Sequence, residues 1–479
     1  MHARERYDVI VVGAGAGGLA VTYRLVMAGL SVLLLEKGYP LPRDGSTLSV
    51  NKVMSLGTFK SKERWSDARG RPLVPEEYFN VGGKTKWYGA ALIRFSPDEF
   101  KPEHSRSCLA WPIGYEVLAP YYEIAEELLG ARTFSIEPQL AALLARVSQR
   151  APEWRHQPLS LGLDPRILEN PDEAKHFDGF ASAKGLKFDA ERAFLDRVRQ
   201  QPNLVMITGK NVIALRCRTD RPEQVSGVRC QDGSEFAATN VILAAGALHS
   251  CRLLERYLRI TGLKSKLPGA ELVGRYYKCH LNSALVAVSR CRKTDLLRKT
   301  ALLQNDRFPF SSVQTLGWID REILGSQLPP LTRSLVAGPL GKRAYGFWLT
   351  TEDGSHPDNR ISAPEEANPM IDYDTRRLPQ AEKEHQQLTR ALLLLLARVG
   401  YLGFAKRMPL AATGHACGTL VTGRDPANSV VDSAGRVHGL ENLYVADGSV
   451  LPRSSRVNPS LTIYAWALRV GDLIARDAA

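Results

Sequence analysis

Two residues toward the C-terminal end are of the types that can take a proton from a hydroxyl and hold what remains. His415 stands in His415-Ala-Cys-Gly418-Thr419, and Asn458-Pro459 begins 39 residues after Thr419. An imidazole changes charge near neutral pH, so His415 can serve as a general base. Asn458 does not titrate, but its carboxamide can hold a hydroxyl oxygen and orient the carbon beside it. A lone histidine is more often a satisfied structural residue than a base. The pair gains meaning from the other end of the chain, where Tyr7-Asp-Val-Ile-Val-Val-Gly13-Ala-Gly15-Ala-Gly-Gly18 runs from an apolar strand into a glycine turn. Such a turn is suited to a dinucleotide. Together the two ends imply hydride removal from an alcohol by a bound redox cofactor.

The elements around the turn support the nucleotide reading. Residues 7–12 read as a strand buried on both faces, and Leu19–Met27 as a helix. Gly13 permits the tight turn, Gly15 lets the backbone approach a pyrophosphate, and Gly18 lets helix and strand pack closely. The helix N-terminus offers amide protons to phosphate. A second strand, Ser31–Leu35, ends at Glu36, 18 residues beyond Gly18, where an acid accepts hydrogen bonds from an adenosine ribose. Val241-Ile-Leu-Ala-Ala245-Gly246 is an apolar strand entering a small-residue turn, which favours FAD over NAD and makes Ala245 and Gly246 cofactor contacts. Thr208–Leu215 reads as one further strand, with Val212 placed for a backbone contact to adenine. No second GxGxxG follows, which argues against a reductase carrying two nucleotides.

Composition narrows the class. A chain of 479 residues, 44% hydrophobic and 24% charged, is an ordinary globular protein of two to four domains. No stretch reaches the roughly 18 apolar residues needed to cross a bilayer; Ala391–Ala397, flanked by Arg390 and Arg398, reads as a buried helix. The first apolar run leads into the glycine turn without a cleavage site, so a cytoplasmic location is expected. Seven scattered cysteines without a CxxC pair imply reduced thiols and no metal site. The net charge is +13, with basic runs at Arg252–Lys266 and Arg290–Lys299 that read as solvated faces. No nucleic-acid motif accompanies them, so no nucleic-acid partner is expected; a membrane surface is the other use such a face could have.

With these pieces placed, the chain resembles the glucose–methanol–choline (GMC) family of FAD-dependent oxidoreductases. Gly82-Gly83-Lys84-Thr85-Lys86-Trp87-Tyr88-Gly89-Ala90 resembles the family's flavin-covering segment, and Trp111–Tyr122 the segment that follows it. Asn359-Arg360-Ile361 resembles the edge of the substrate-domain sheet. The C-terminal block matches in order through Asp425-Pro426, Ser429–Asp432, Arg436–Gly439, Asn442–Ser449 and Asn458-Pro459-Ser-Leu-Thr462. The resemblance implies that Gly82, Gly83 and Thr85 touch the cofactor, and that Asp447 and Gly448 meet the ribityl-phosphate part of FAD. It also implies that Asn458, Pro459 and Thr462 lie near the isoalloxazine ring, with His415 and Asn458 catalytic. Trp87 occupies the place of a histidine that binds flavin covalently in the pyranose-oxidizing branch, so FAD is expected to be non-covalent. Gly418-Thr419 is followed by Leu420-Val-Thr-Gly423 where the family usually has Arg-Met-Gly, which implies a differently shaped pocket. The implied substrate is a small, sugar-like or natural-product alcohol, with oxygen or another acceptor reoxidising the flavin.

The expected fold is α/β: a Rossmann-like FAD-binding domain of the GMC/p-hydroxybenzoate-hydroxylase type with an α+β substrate domain on an antiparallel sheet. The FAD-binding domain takes residues 1–110, 190–282 and 412–479, and the substrate domain 111–189 and 283–411. Leu281–Val288 and Tyr345–Thr351 read as strands of that sheet, backed by a helix over Gln380–Val399. Segment 322–343 reads as an irregular loop able to gate the pocket. Glu352 reads as a surface or sheet-edge acid, and His280 as a structural histidine near the domain junction. Two other activities fit the same motifs: lyase or isomerase chemistry using His415 and Asn458, and a non-catalytic, membrane-peripheral flavin protein.

Overall fold

The computed structural model describes residues 6–218, 220–327, 337–364 and 367–478. Strand Tyr7–Val12 lies at the centre of a seven-stranded sheet, parallel to Val32–Leu35 on one side and to Glu235–Leu243 on the other. Both faces of it are buried, which is why its residues are apolar without alternation. Helices Ala16–Met27 and Ser460–Ala478 pack against one another and share the core beneath this sheet. Leu443–Val445 adds a further parallel strand beside Glu235–Leu243 and delivers Asp447 to the strand ends. The chain therefore returns to its first sheet only after almost all of it has been made.

Of the expected strand Thr208–Leu215 only Val212–Leu215 is extended, as the start of a longer strand, and a separate strand lies just before it. Leu204–Ile207 runs parallel to Val32–Leu35, whereas Val212–Arg218 runs antiparallel to Arg221–Cys230. Gly209, at φ 72°, turns the chain between them.

A second sheet has six antiparallel strands in the order Leu402–Arg407, Leu281–Val288, Ala344–Thr351, Ser311–Thr315, Ala301–Asn305, Trp154–Pro158. Its two faces follow the strand period of two. Leu285, Ala287, Val313, Phe347 and Leu349 face a core shared with Leu388, Leu392, Leu395 and Leu396 of helix Pro379–Arg398. The alternate residues Ala284, Val286, Gln314 and Trp348 face a cavity instead.

Several placements differ from the sequence reading. Within 322–343, Arg321–Gln327 is a helix whose first amides at Glu322 and Ile323 bond Asp320, while residues 328–336 lie outside the described ones. Helix Tyr115–Leu128, assigned above to the substrate side, sends Leu118, Tyr122, Ala125 and Leu128 into the core of the first sheet. The run Arg290–Lys299 is not wholly a solvated face: Arg298 and Lys299 are buried, the first stacked on Trp318 and the second paired with Asp178 at 2.8 Å.

Glu352 is not a surface acid. It is fully buried and receives Arg453, itself 2% exposed, through two hydrogen bonds of 2.8 and 2.6 Å. The Ser455 amide adds a third at 3.0 Å. Strand and C-terminal segment are thereby locked together, and leaving one charge of such a pair unpartnered costs about 3–5 kcal/mol. Arg453→Met should lower the thermal unfolding midpoint by an amount equivalent to that range, with Arg453→Met/Glu352→Gln recovering part of it. A wild-type midpoint in the single variant would contradict the assignment.

Candidate active site

One cavity of about 1360 Å³ is walled by the glycine turn, the Gly83–Gly89 segment, the inner face of the antiparallel sheet and the C-terminal segment carrying His415 and Asn458. Its nucleotide end follows from the turn. Gly13 has φ 105° and its amide bonds the Leu35 carbonyl at 2.8 Å. At Gly15 a Cβ would meet nothing within 4 Å, so a side chain there would project into open cavity, the space a pyrophosphate backbone requires. Gly18 faces the Gly13 carbonyl, where a Cβ would come within 1.9 Å, and Gly17 faces the Ala446 carbonyl at 1.6 Å. These two glycines serve close packing, and the need at Gly17 was not visible in the sequence.

Glu36 ends its strand at the cavity wall as expected, but its carboxylate also organises the turn. It accepts from the amides of Ala14 and Gly38, each at 2.8 Å. Burial raises its pKa, opposed by those amide bonds. Val212, Ala245 and Gly246 line the same end. Asp447 is buried and accepts from the Gly246 amide at 2.8 Å and from the Ser250 hydroxyl at 2.5 Å. Its other oxygen accepts from the Ser449 amide at 2.8 Å. One carboxylate thus joins the two strand-end turns against which a dinucleotide would lie.

Gly83, Thr85, Gly448 and Pro459 also line the cavity, whereas Gly82 and Thr462 do not. The Gly82 amide bonds the Ala14 carbonyl at 2.8 Å, so this residue ties the covering segment to the glycine turn. Thr462 is buried inside the C-terminal helix and its hydroxyl pairs with Tyr122 at 2.7 Å, away from the cavity. Trp87 lines the cavity with its ring stacked on Tyr78 and its indole N–H donating to Asn80 at 3.1 Å.

His415 and Asn458 come together: Asn458 Nδ2 and His415 Nε2 are 3.2 Å apart on the cavity wall. The His415 segment is held from both sides. Cys417 and Lys278 exchange backbone hydrogen bonds of 2.9 Å, and the Gly418 amide bonds the Gly448 carbonyl at 3.0 Å. Cys417 itself is fully buried behind the histidine. Burial holds the His415 imidazole well below its ordinary pKa, reinforced by His280, Lys299 and Lys84. The ring is therefore neutral at pH 7, the form a proton acceptor requires.

Two site residues had been given no such role. His280, expected to be a structural residue near the domain junction, is 2.9 Å from His415, Nδ1 to Nδ1. Gln314 projects from strand Ser311–Thr315 and donates from Nε2 to Asn458 Oδ1. The only forewarning of His280 was its place after the Gly274-Arg275 block; Gln314 lies in a strand whose pattern marks no single residue. Among the described residues no cluster of His, Cys, Asp and Glu is placed to hold a metal ion, and no helix is long and apolar enough to cross a membrane.

The family described as FAD dependent oxidoreductase matches residues 8–267, and that described as GMC oxidoreductase matches residues 365–467. The chain is 30% identical to 6'''-hydroxyparomomycin C oxidase of Streptomyces lividus, over 99% of this chain and 92% of that protein. It is 29% identical to paromamine 6'-oxidase of Streptomyces fradiae, over 99% and 93%. The crystal structure of pyridoxine 4-oxidase from Mesorbium loti superposes with a TM-score of 0.72 at 18% identity, covering 98% of this chain and 99% of that one. The chain belongs to the GMC family of oxidoreductases. It is an FAD-dependent enzyme, and the open space at Gly15 together with the amides and carboxylates around it fits that cofactor.

Because Gly15 has φ −88° and open space beyond it, Gly15→Val should fold normally yet fill the cradle. We expect ~10-fold less flavin per polypeptide after gel filtration, read from absorbance. A full flavin complement in this variant would refute the placement.

Proposed function

We propose that the enzyme oxidises a CH–OH group of a small, sugar-like or natural-product alcohol, with His415 as base and Asn458 as the group that holds the reacting oxygen. The observation that carries this reading is the meeting of His415 Nε2 and Asn458 Nδ2 on the cavity that the glycine turn opens into. FAD bound in that cavity supplies the two-electron acceptor. The hydroxyl proton passes to His415 Nε2, the carbon-bound hydrogen departs with its electron pair, and the C–O bond becomes a carbonyl. A bare alkoxide is costly, and a positioned base typically contributes about 10²–10⁴-fold. Asn458 donates to the oxygen as its charge grows, and fixing that oxygen aims the C–H bond.

Substrate size follows from the walls. Ala284, Val286 and Trp348 form an apolar and aromatic floor on the antiparallel sheet, with Gln314 beside them. An aromatic ring of this kind suits the apolar face of a sugar-like ring, in keeping with the printed activities of the two Streptomyces relatives. Four of the cavity's acids are paired, Glu77 with Lys84 at 2.6 Å, Glu76 with Lys60, Asp178 with Lys299, and Glu63 with Arg252 at 2.9 Å, while Glu36 and Asp447 at the nucleotide end accept from backbone amides. Recognition of the substrate therefore rests on shape and neutral hydrogen bonds more than on a free carboxylate.

His415→Ala should keep its yellow flavin and lose substrate-driven flavin reduction by at least about 10²-fold, measured by anaerobic bleaching of the visible band. Bleaching at the wild-type rate would remove the base assignment.

A further inference from the structure

The polar side chains around His415 form one connected line whose direction is set at its far end. His280 Nε2 lies 3.0 Å from the Ser454 carbonyl and 2.8 Å from that of Ser455. Carbonyl oxygens only accept, so this nitrogen carries a hydrogen. His280 Nδ1 then accepts from His415 Nδ1–H across 2.9 Å, which leaves His415 Nε2 bare. A bare nitrogen calls for a donor, and Asn458 presents Nδ2 to it at 3.2 Å. Asn458 Oδ1 consequently faces Gln314, which donates from Nε2. Gln314 is 1% exposed and its Oε1 has no hydrogen-bond partner among the described residues, although the side chain stands on the cavity wall.

The reverse direction would require a second hydrogen on His280, whereas one hydrogen on each ring satisfies every contact of both. It would also require both carboxamides to turn over. Backbone strain marks the same place: His280 and Ser455 hold φ of 64° and 70°, conformations that non-glycine residues adopt only when their surroundings insist.

We propose that the Ser454 and Ser455 carbonyls fix a single direction of hydrogen bonding through His280, His415, Asn458 and Gln314, so that His280 positions His415 with a bare Nε2 and Gln314 Oε1 recognises a second hydrogen-bond donor on the substrate. The inference rests on the alcohol-oxidation reading and refines it: the substrate carries a hydroxyl or amino group close to the reacting carbinol, as a diol or amino alcohol does. A buried acceptor left without a donor is costly, so an alcohol lacking that group is disfavoured.

Two measurements on the FAD holoenzyme test this without turnover. In protein labelled with ¹⁵N-histidine, with resonances assigned from His280→Asn and His415→Ala, the expected tautomers are Nε2–H for His280 and Nδ1–H for His415. A proton on His415 Nε2 overturns the proposed direction. The second uses two tertiary alcohols that have no carbinol hydrogen and so bind without reacting: 2,3-dimethylbutane-2,3-diol and 2,3-dimethylbutan-2-ol. Wild-type enzyme should bind the diol about tenfold more tightly by flavin difference spectra, and Gln314→Met should bring the ratio near one. Equal binding by the wild type, or a preference that survives in Gln314→Met, overturns the role of Gln314. Failure of the oxidation reading would show elsewhere, as an absence of flavin bleaching by oxidisable alcohols.

Discussion

Three buried carboxylates hold the chain between Leu451 and Asn458 against the antiparallel sheet, and the candidate active site depends on them. Glu352 receives Arg453 and the Ser455 amide. Asp353 accepts from the Ser454 hydroxyl at 2.6 Å, and Glu99 accepts from the Ser455 hydroxyl at 2.6 Å and the Arg456 amide at 2.9 Å. With its side chains and amides committed, this segment turns the Ser454 and Ser455 carbonyls toward His280 and sets Asn458 beside Gln314. The final helix begins at Ser460, immediately after Pro459, so the segment also fixes where that helix meets the cavity. Under the proposed oxidation a carboxamide aiming a C–H bond would need such a mounting, since small misplacements of reacting groups are expensive in rate.

Desolvation is the second constraint. The proposed role of His415 as a base needs a neutral ring before the substrate arrives, and desolvation favours that form. The nearby cations Lys84 and Lys299, each paired with an acid, Glu77 and Asp178, disfavour a positive charge on the ring. The nucleotide end works through fixed backbone dipoles: glycine-turn amides and a helix N-terminus provide the field a pyrophosphate needs. The nucleotide end and the His415 end of one cavity thus have different kinds of wall.

Local pattern made the nucleotide turn legible in the sequence: Gly13, Gly15, Gly18 and Glu36 stand in one continuous strand–turn–helix–strand unit. The resemblance of the C-terminal block supplied His415 and Asn458, and the structure brings them within 3.2 Å. Other features depend on contacts between segments far apart in the chain. Glu352 meets Arg453 across 101 positions and His280 meets His415 across 135, and neither partner announces the other by spacing. Thr462 matched the family motif, yet it points into the helix packing and meets Tyr122, because position along a helix decides which face a residue shows. The turn over Thr208–Asn211 reads as strand in the sequence for a simpler reason: it leads directly into the apolar residues that open strand Val212–Arg218.

The central claim is that His415 is a proton acceptor held neutral by burial, and its most direct test is the pH dependence of anaerobic flavin reduction by an alcohol substrate. A depressed pKa means that the neutral ring persists as pH falls through the ordinary histidine range near ~6.5. The reduction rate should therefore stay level from neutral pH down through that range and decline only at more acidic values. A decline centred at or above the ordinary histidine value would contradict the account.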